Sequence, residues 1–492
     1  LVPPDIAACA ECLREMRDPT DRRYGPPFIT CTNCGPRYTV ITDLPYDRPA
    51  TTMAGFPMCD ACAVEYRDPT DRRYHAQTIA CGDCGPRLRW IGPDGAAGDT
   101  DDPIGAACDA LLAGRVVAIK GIGGYHLACR ADDADVVHGL RARKNRPAKP
   151  FAVMVADLDG ARSVVEVSDS AATALQSPAA PIVLLPRVGS LVSAAVAPGL
   201  ADLGVMPAYS PIHHLIFDGL ARSGGAVPLV MTSANQGGSP IVYRDEDLGW
   251  INGLADAVLA HDRPIGVPCE DSVVTLDDEG RELPLRRSRG YAPLPVTVDL
   301  PAGETLLATV DLPAGETLLA TGGDLKTTFC LMAGGGGPSG RRHAHLSSHL
   351  GDMADPRTQA CFESALDHLA FMTGQHPAAI ACDMHPGYAT TGWARRRAAG
   401  RPVIAVQHHH AHAVSLLADH GRLGTPMLAV TYDGTGYGSD GTIWGGELLV
   451  VTDPAEFTRV GHLAPFALPG GDGAVRQPAR IALDLLTRAG ID

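Results

Sequence analysis

Lysine is almost missing from this chain: four residues among 492, against 37 arginines. Nearly all positive charge is therefore carried by guanidinium, and the four ammonium groups mark places where a compact point charge is wanted. Long apolar runs are missing too. No stretch approaches the roughly 18 to 20 apolar residues that cross a bilayer, and no charged-then-apolar leader opens the chain. This argues against a helical membrane span or a membrane partner, and the cytoplasm is the expected compartment. Net positive charge is also lacking. Basic residues number 41 and acidic ones 56, a formal charge of −15, which opposes the cationic footprint that nonspecific nucleic-acid binding needs. What remains is a globular composition, 45% hydrophobic and 20% charged, in a chain too long for one core. The 55 glycines and 40 prolines predict many turns. The first residue is Leu rather than Met and the last residues read as an amphipathic helix, Ile481 to Arg488, so a fragment of a longer protein is expected.

Eight of the 14 cysteines fall before residue 85, as the Cys-x-x-Cys pairs Cys9/Cys12, Cys31/Cys34, Cys59/Cys62 and Cys81/Cys84. The segment Arg17 to Arg37 recurs fifty residues on as Arg67 to Arg87, with RDPTDRRY and CGPR in both copies. Two such turns make a tetrahedral sulfur cage suited to zinc, so two structural zinc ions are predicted. Because the segment holds few large apolar residues, metal would supply much of its folding energy. The spacing leaves the pairing open: neighbouring pairs share an ion, or the first pair joins the fourth and the second the third.

All four lysines, Lys120, Lys144, Lys149 and Lys326, lie in or beside Gly- or Pro-rich turns next to strand patterns. Val116 to Ile119 reads as a buried strand running into Lys120, Gly121, Gly123 and Gly124, where small residues let backbone N–H groups approach an anion. Asp132 or Asp133 caps a predicted helix that ends by about Arg143, ahead of Pro147. Arg141, Arg143, Lys144, Arg146 and Lys149 crowd that end, more cations than the helix dipole requires. Phe151 to Val155, Ile182 to Leu185 and Leu229 to Met231 read as further strands, the last leading into Thr232, Ser233, Ala234 and Asn235. Arg286, Arg287 and Arg289 add a second cationic stretch. Strands alternating with helices predict an α/β domain.

Farther on, Leu318 to Thr321 and Thr327 to Met332 read as a hairpin around Gly322, Gly323 and Lys326. Met427 to Tyr432, the turn Asp433 to Gly441 with Gly434 and Gly436, and a strand from Thr442 read as a second. Two Gly-rich hairpins resemble the actin-like ATPase architecture. Between them, His408 and His412 stand four apart on a predicted helix, the geometry for two imidazoles to grip one ion; His409 with His412 is the alternative. The segment VDLPAGETLLAT is duplicated, at Val298 to Thr309 and Val310 to Thr321. It is read as linker without function.

KGIGGYHLACRA, LRARKNRPAKPFAVM, TSAN and RRSRGYAP resemble the YrdC-type domain, and the doubled cysteine motif ahead of them makes the order resemble the HypF family. The resemblance implies a multidomain α/β chain: zinc-ribbon-like Cys motifs at 1–92, a YrdC-like domain at 104–297, a linker at 298–317, and a partial actin-like (ASKHA) domain at 318–492. It further implies ATP-dependent carbamoyl transfer. Carbamate, derived from carbamoyl phosphate by a module expected to be missing here, is adenylated with ATP and Mg. The carbamoyl group then passes to the C-terminal cysteine of HypE. Lys120, Lys144, Lys149, Ser233 and Asn235 are the expected catalytic groups. Arg143, Arg146, Thr232, Arg286, Arg289, Gly322, Gly323, Lys326, Gly434 and Gly436 are expected at nucleotide. By the same resemblance His408, His412 and Asp433 hold a divalent iron or zinc. Cys269-Glu270-Asp271-Ser272 stands where two aspartates are expected, and the incomplete second site puts transfer in doubt. Two other readings are an antibiotic O-carbamoyltransferase, which lacks the zinc repeat, and a zinc-ribbon chaperone or nucleic-acid adaptor, which the acidic balance disfavours.

Overall fold

The computed structural model describes residues 2–93, 95, 100–225, 227–299, 316–333 and 341–491. Most of the duplicated segment therefore lies outside the described residues. The chain divides into two compact units: Leu1–Val296 with Thr317–Ala333 and His343–Ala378, and a second that contains Ala379–Asp492.

The first unit is built on a ten-stranded sheet. In chain order its strands are β1 (Leu88–Ile91), β2 (Val117–Lys120), β3 (Tyr125–Arg130), β4 (Ala152–Val155), β5 (Ile182–Pro186), β6 (Asp202–Pro207), β7 (Leu229–Ser233), β8 (Ala257–His261), β9 (Val273–Leu276) and β10 (Glu282–Arg286). Their spatial order is β1-β8-β2-β3-β7-β4-β6-β5-β9-β10. The pairs β2/β8, β4/β6 and β5/β9 are parallel, in an otherwise antiparallel sheet. Side chains alternate between faces, and both faces are buried. Ala118, Leu127 and Val153 pack on one side with Val137 and Leu140 of the helix Ala134–Arg143. Val117, Ile119 and Met154 pack on the other, against Leu111 of Pro103–Leu112 and Ile216 and Leu220 of Pro211–Arg222. Phe28 of the cysteine region joins this second core, its ring edge-on to His261 at 5.1 Å.

Local chemistry agrees with the sequence pattern. Asp133 accepts from the backbone N–H groups of Asp135 and Val136, capping the helix whose far end delivers Lys144. The expected hairpin near Leu318 forms with Thr317 opposite Ala333 and Ala320 opposite Cys330. Its turn needs the left-handed region twice, at Gly322 (φ 67°) and Lys326 (φ 51°).

In the second unit Ile380 to Asp383, the end of the strand Pro377–Asp383, runs parallel to the strand Val403–Val406, with Asp383 opposite Val406. Both therefore end at one edge, and the helix His408–Asp419 starts there, capped by Gln407 accepting from the His410 N–H at 2.8 Å. The second expected hairpin is built otherwise. Met427–Thr431 pairs with Glu447–Asp453, while Gly436–Tyr437 pairs with Ile443–Trp444 inside the loop between them. Trp444 explains the difference: its indole is buried with Ala413, Leu417 and Leu449, so the residues after Thr442 serve the core rather than prolong the outer pair. Among the described residues no helix is long and apolar enough to cross a membrane.

Candidate metal and nucleotide sites

The eight cysteines form two cages of neighbouring pairs, Cys9, Cys12, Cys31 and Cys34, then Cys59, Cys62, Cys81 and Cys84. Sulfur separations are 3.7 Å for Cys9–Cys31 and Cys31–Cys34 and 3.5 Å for Cys12–Cys34. In the second cage they are 3.7, 3.8 and 3.6 Å. A tetrahedron with Zn–S bonds of about 2.3 Å has edges of about 3.8 Å, whereas a disulfide needs about 2.05 Å. All eight thiols are free. The cages fit zinc, and the crossed pairing is excluded. Four thiolates leave no open ligand position, so these sites are structural.

The second cluster lies where β7 ends. Lys144, buried below the helix end, donates to the Ser233 carbonyl (2.7 Å), the Asn235 carbonyl (2.6 Å) and Asn235 Oδ1 (3.0 Å). Three acceptors match the three protons of an ammonium. Burial, then the charge of Arg146, pulls its pKa down to about 7, opposed by Glu270. The Ser233 hydroxyl donates to Asn235 Oδ1 at 2.9 Å, and Thr232 is buried one step back on β7. Arg146 donates to the Pro150 carbonyl; its pKa falls to about 10 through burial and then the charges of Arg286 and Arg141. Arg286 reaches Glu270 at 2.5 Å. Burial alone would raise the Glu270 pKa, but Arg286 and His349 hold it down to about 2. Lys149 is exposed on the loop that follows.

Other expected ligands are engaged elsewhere. The Lys120 ammonium sits 2.5 Å from Asp245 and donates to the His261 carbonyl, and the Tyr125 hydroxyl shares that carboxylate. Arg289, fully buried, donates to Asp271 and to the carbonyls of Ala179 and Ala180. Arg143 pairs with Asp256 at 2.9 Å. In this structure Lys120 and Arg289 act as internal braces, whereas Arg143 makes its pair at the surface. Glu270 and Asp271 fill the positions where two aspartates were expected, each held by its own arginine.

The third cluster belongs to the second unit. His408 Nε2 lies 2.8 Å and His412 Nε2 3.2 Å from Asp433 Oδ2. Two imidazoles and a carboxylate suit a borderline ion such as zinc or iron, and the three donor atoms converge within 4.8 Å. The alternative through His409 is closed: its ring is buried, donating from Nε2 to the Asp433 carbonyl at 2.8 Å and accepting from Gln407. Gly436 is required beneath it, because an added Cβ would stand 2.2 Å from that ring; Gly434 has open space. In the first unit, Gly323 is open and the Lys326 N–H donates to Asp352 at 2.9 Å.

Sequence reasoning missed Asp383. At the end of its strand, its Oδ2 accepts from His408 Nδ1 at 2.6 Å and its Oδ1 from the His385 N–H at 2.7 Å. That bond fixes the proton on Nδ1 and turns Nε2 toward Asp433. The hydrogen bond from Asp383 raises the His408 pKa against the opposing effect of burial. His385 also stacks on Tyr388, with centroids 4.2 Å apart.

Comparison with known proteins follows the same order of parts. The HypF finger model matches residues 8–41 and 58–91. A model described as telomere recombination, of the Sua5, YciO and YrdC type, matches 109–288. The HypF Kae1-like domain matches 313–419, and the second subdomain of the carbamoyltransferase Kae1-like domain matches 429–492. The chain is 45% identical to carbamoyltransferase HypF of Synechocystis sp., over 98% of this chain and 60% of that protein. Identity to the Rhodobacter capsulatus HypF is 46%, over 100% and 63%. A crystal structure of full-length HypF in a phosphate- and nucleotide-bound form superposes with a TM-score of 0.89 at 41% identity, covering 99% of this chain and 60% of that one. Alike in sequence and backbone along nearly all of its length, and spanning about three fifths of these relatives, the chain belongs to the HypF family.

Proposed function

We propose that the chain catalyses ATP-dependent carbamoyl transfer. A carbamate oxygen, supplied from carbamoyl phosphate, attacks the α-phosphorus of Mg-bound ATP; the P–O bond to the β-phosphate breaks and pyrophosphate leaves. A thiolate, that of the C-terminal cysteine of HypE, then attacks the carbamoyl carbon and AMP departs with the bridging oxygen.

The observation that carries this reading is the Lys144 cluster. Lys144, Ser233 and Asn235 form a preorganised polar surface at a strand end, with Arg146 and Arg286 beside it. Such a surface favours charge that builds on the phosphates as pyrophosphate separates. Lys149, on the exposed loop, is free to close on the triphosphate. The Lys120–Asp245 pair holds the Gly121–Gly124 turn in place. Gly123 permits the close approach there, because a Cβ would overlap the Cys269 carbonyl at 2.1 Å.

His408, His412 and Asp433 would hold a divalent zinc or iron ion, which when bound supplies a Lewis acid. Asp383 and His409 orient the ligands. Gly322, Gly323, Lys326 and Gly434 are assigned to nucleotide contacts. The cytoplasm is the proposed compartment.

The test is pyrophosphate release from ATP with carbamoyl phosphate or carbamate, comparing the chain with Lys149→Ala. Release that depends on the carbamoyl donor and falls at least tenfold in the variant supports the reading. Equal release by both removes Lys149 from it.

A further inference from the structure

The two cysteine cages do not complete themselves. In each repeat the helix that starts within the first Cys-x-x-Cys leads into Asp-Pro-Thr-Asp-Arg-Arg-Tyr, and from these segments Arg22, Arg23 and Arg72 reach the other repeat's sulfur. Arg22 Nη2 donates to Cys62 Sγ at 3.3 Å, and Arg23 Nη2 lies 3.5 Å from the same atom. Fifty residues on, Arg72 Nη2 donates to Cys12 Sγ at 3.1 Å, with Nη1 3.8 Å from Cys9 Sγ. The carboxylates are exchanged as well: Arg22 and Arg23 pair with Glu65, Arg72 and Arg73 with Glu15. Even the backbone acceptors correspond, Arg23 Nε donating to the Ala80 carbonyl and Arg73 Nε to that of Thr30. The Arg22–Cys62 and Arg72–Cys12 contacts, the four arginine–glutamate pairs and the two backbone contacts interchange on adding or subtracting fifty, a nearly isologous interface inside one chain.

Four thiolates around a divalent zinc carry a net charge of −2, and Cys12, Cys34 and Cys62 are fully buried. Such a charge needs cations and N–H donors close by, and here they come from the opposite repeat. Each repeat has few apolar residues to order it without metal. An ion in one cage thus orders the arginines that the other cage needs.

We propose that the two cages load and lose zinc as a coupled pair, with Arg22 and Arg23 completing the second cage and Arg72 the first, Arg73 sharing Glu15 beside it. Coupling of this kind is reciprocal: whatever affinity one ion lends the other is returned in equal measure. The proposal rests on the reading that both cages hold zinc.

The test uses the full chain, a zinc chelator and thiol alkylation read by mass spectrometry, which reports which cysteines have been freed. Native mass spectrometry first counts zinc in the two cages; a vacant cage in the wild type would overturn the zinc reading itself. In the wild type both sets of four thiols are expected to become reactive in a single transition. Arg72→Ala, although in the second repeat, should free Cys9, Cys12, Cys31 and Cys34 at a chelator concentration about tenfold lower or more. Arg22→Ala should do the same to Cys59, Cys62, Cys81 and Cys84. If each substitution frees only its own repeat's thiols, or frees them ahead of the other's, or neither changes the transition, the coupling is overturned while the zinc assignment stands. Cys129, buried in the sheet core, monitors the global fold. Should it react in Arg72→Ala, Arg72→Lys decides instead: it keeps the charge but loses the forked donor, and an unchanged first-cage transition in it overturns the proposal.

Discussion

Removing the Asp383 carboxylate should weaken metal binding at His408 and His412 without touching a ligand. The structure sets the size of the effect. Asp383 is buried, its Oδ2 is 2.6 Å from His408 Nδ1, and His408 Nε2 faces Asp433. Outer partners of metal-bound histidines are worth about 10- to 100-fold in affinity, or roughly 1.4 to 2.7 kcal/mol. Asp383→Ala should show a loss in that range, because the imidazole is freed to rotate and loses basicity. Asp383→Asn, which keeps an acceptor but not the charge, should fall between the two. A separate cost of about 1 kcal/mol in stability is expected from the His385 N–H left without its acceptor. The assay is competitive titration of metal-stripped protein with zinc and with ferrous iron, together with a melting curve to separate the two effects. An Asp383→Ala protein that binds the ion with wild-type affinity would refute the argument.

Three further outcomes follow from the same geometry. The double variant His408→Ala/His412→Ala should lose one ion by elemental analysis and retain two zincs; unchanged total metal would count against that site. Glu270, at about pKa 2 in the fold against an ordinary value of 4.5, binds fewer protons folded than unfolded between those pH values. Its contribution is full above pH 4.5 and is lost as pH falls toward 2, on the order of 3 kcal/mol. Urea unfolding from pH 5 to 3 should therefore be flatter with pH in Glu270→Gln, and an unchanged slope would remove this group as its source. Lys144 has the same proton balance but as a penalty: with a folded pKa of about 7 it binds fewer protons than the unfolded chain between 7 and 10.5, so its cost to stability shrinks as pH rises through that window. In the fold its ammonium, the form proposed to serve phosphate, is lost as pH rises through about 7. Pyrophosphate release below ATP saturation should decline above about pH 7, and a profile flat to pH 9 would contradict this.

Contacts local in sequence were legible, and pairings across long separations were not. The Asp133 cap, the strand ends at Lys120 and Ser233 and the helix carrying His408 each rest on a few adjacent residues, and these pointed correctly. The cysteine spacing announced two four-sulfur cages, yet the 18-residue intervals allow both pairings; only the folded backbone selects neighbours. Lys120 and Arg289 read as anion ligands in the sequence, because nothing local shows that Asp245, 125 residues on, meets Lys120 or that Asp271 is buried beside Arg289. Asp383 went unseen for the same reason. It is one acidic residue in Cys-Asp-Met-His-Pro-Gly-Tyr, and its importance arises from a parallel strand pair that ends beside the histidine helix. The available signal was a carboxylate at a strand end followed by a turn.

The most direct measurement of the central claim is the identity of the nucleotide products when the chain is given ATP, Mg and carbamate, resolved by chromatography for the wild type and for Lys144→Met. Carbamate-dependent AMP and pyrophosphate from the wild type, reduced at least a hundredfold in a Lys144→Met protein that keeps its melting transition, is the predicted result. ADP and phosphate as the products, or equal AMP from both proteins, would contradict it.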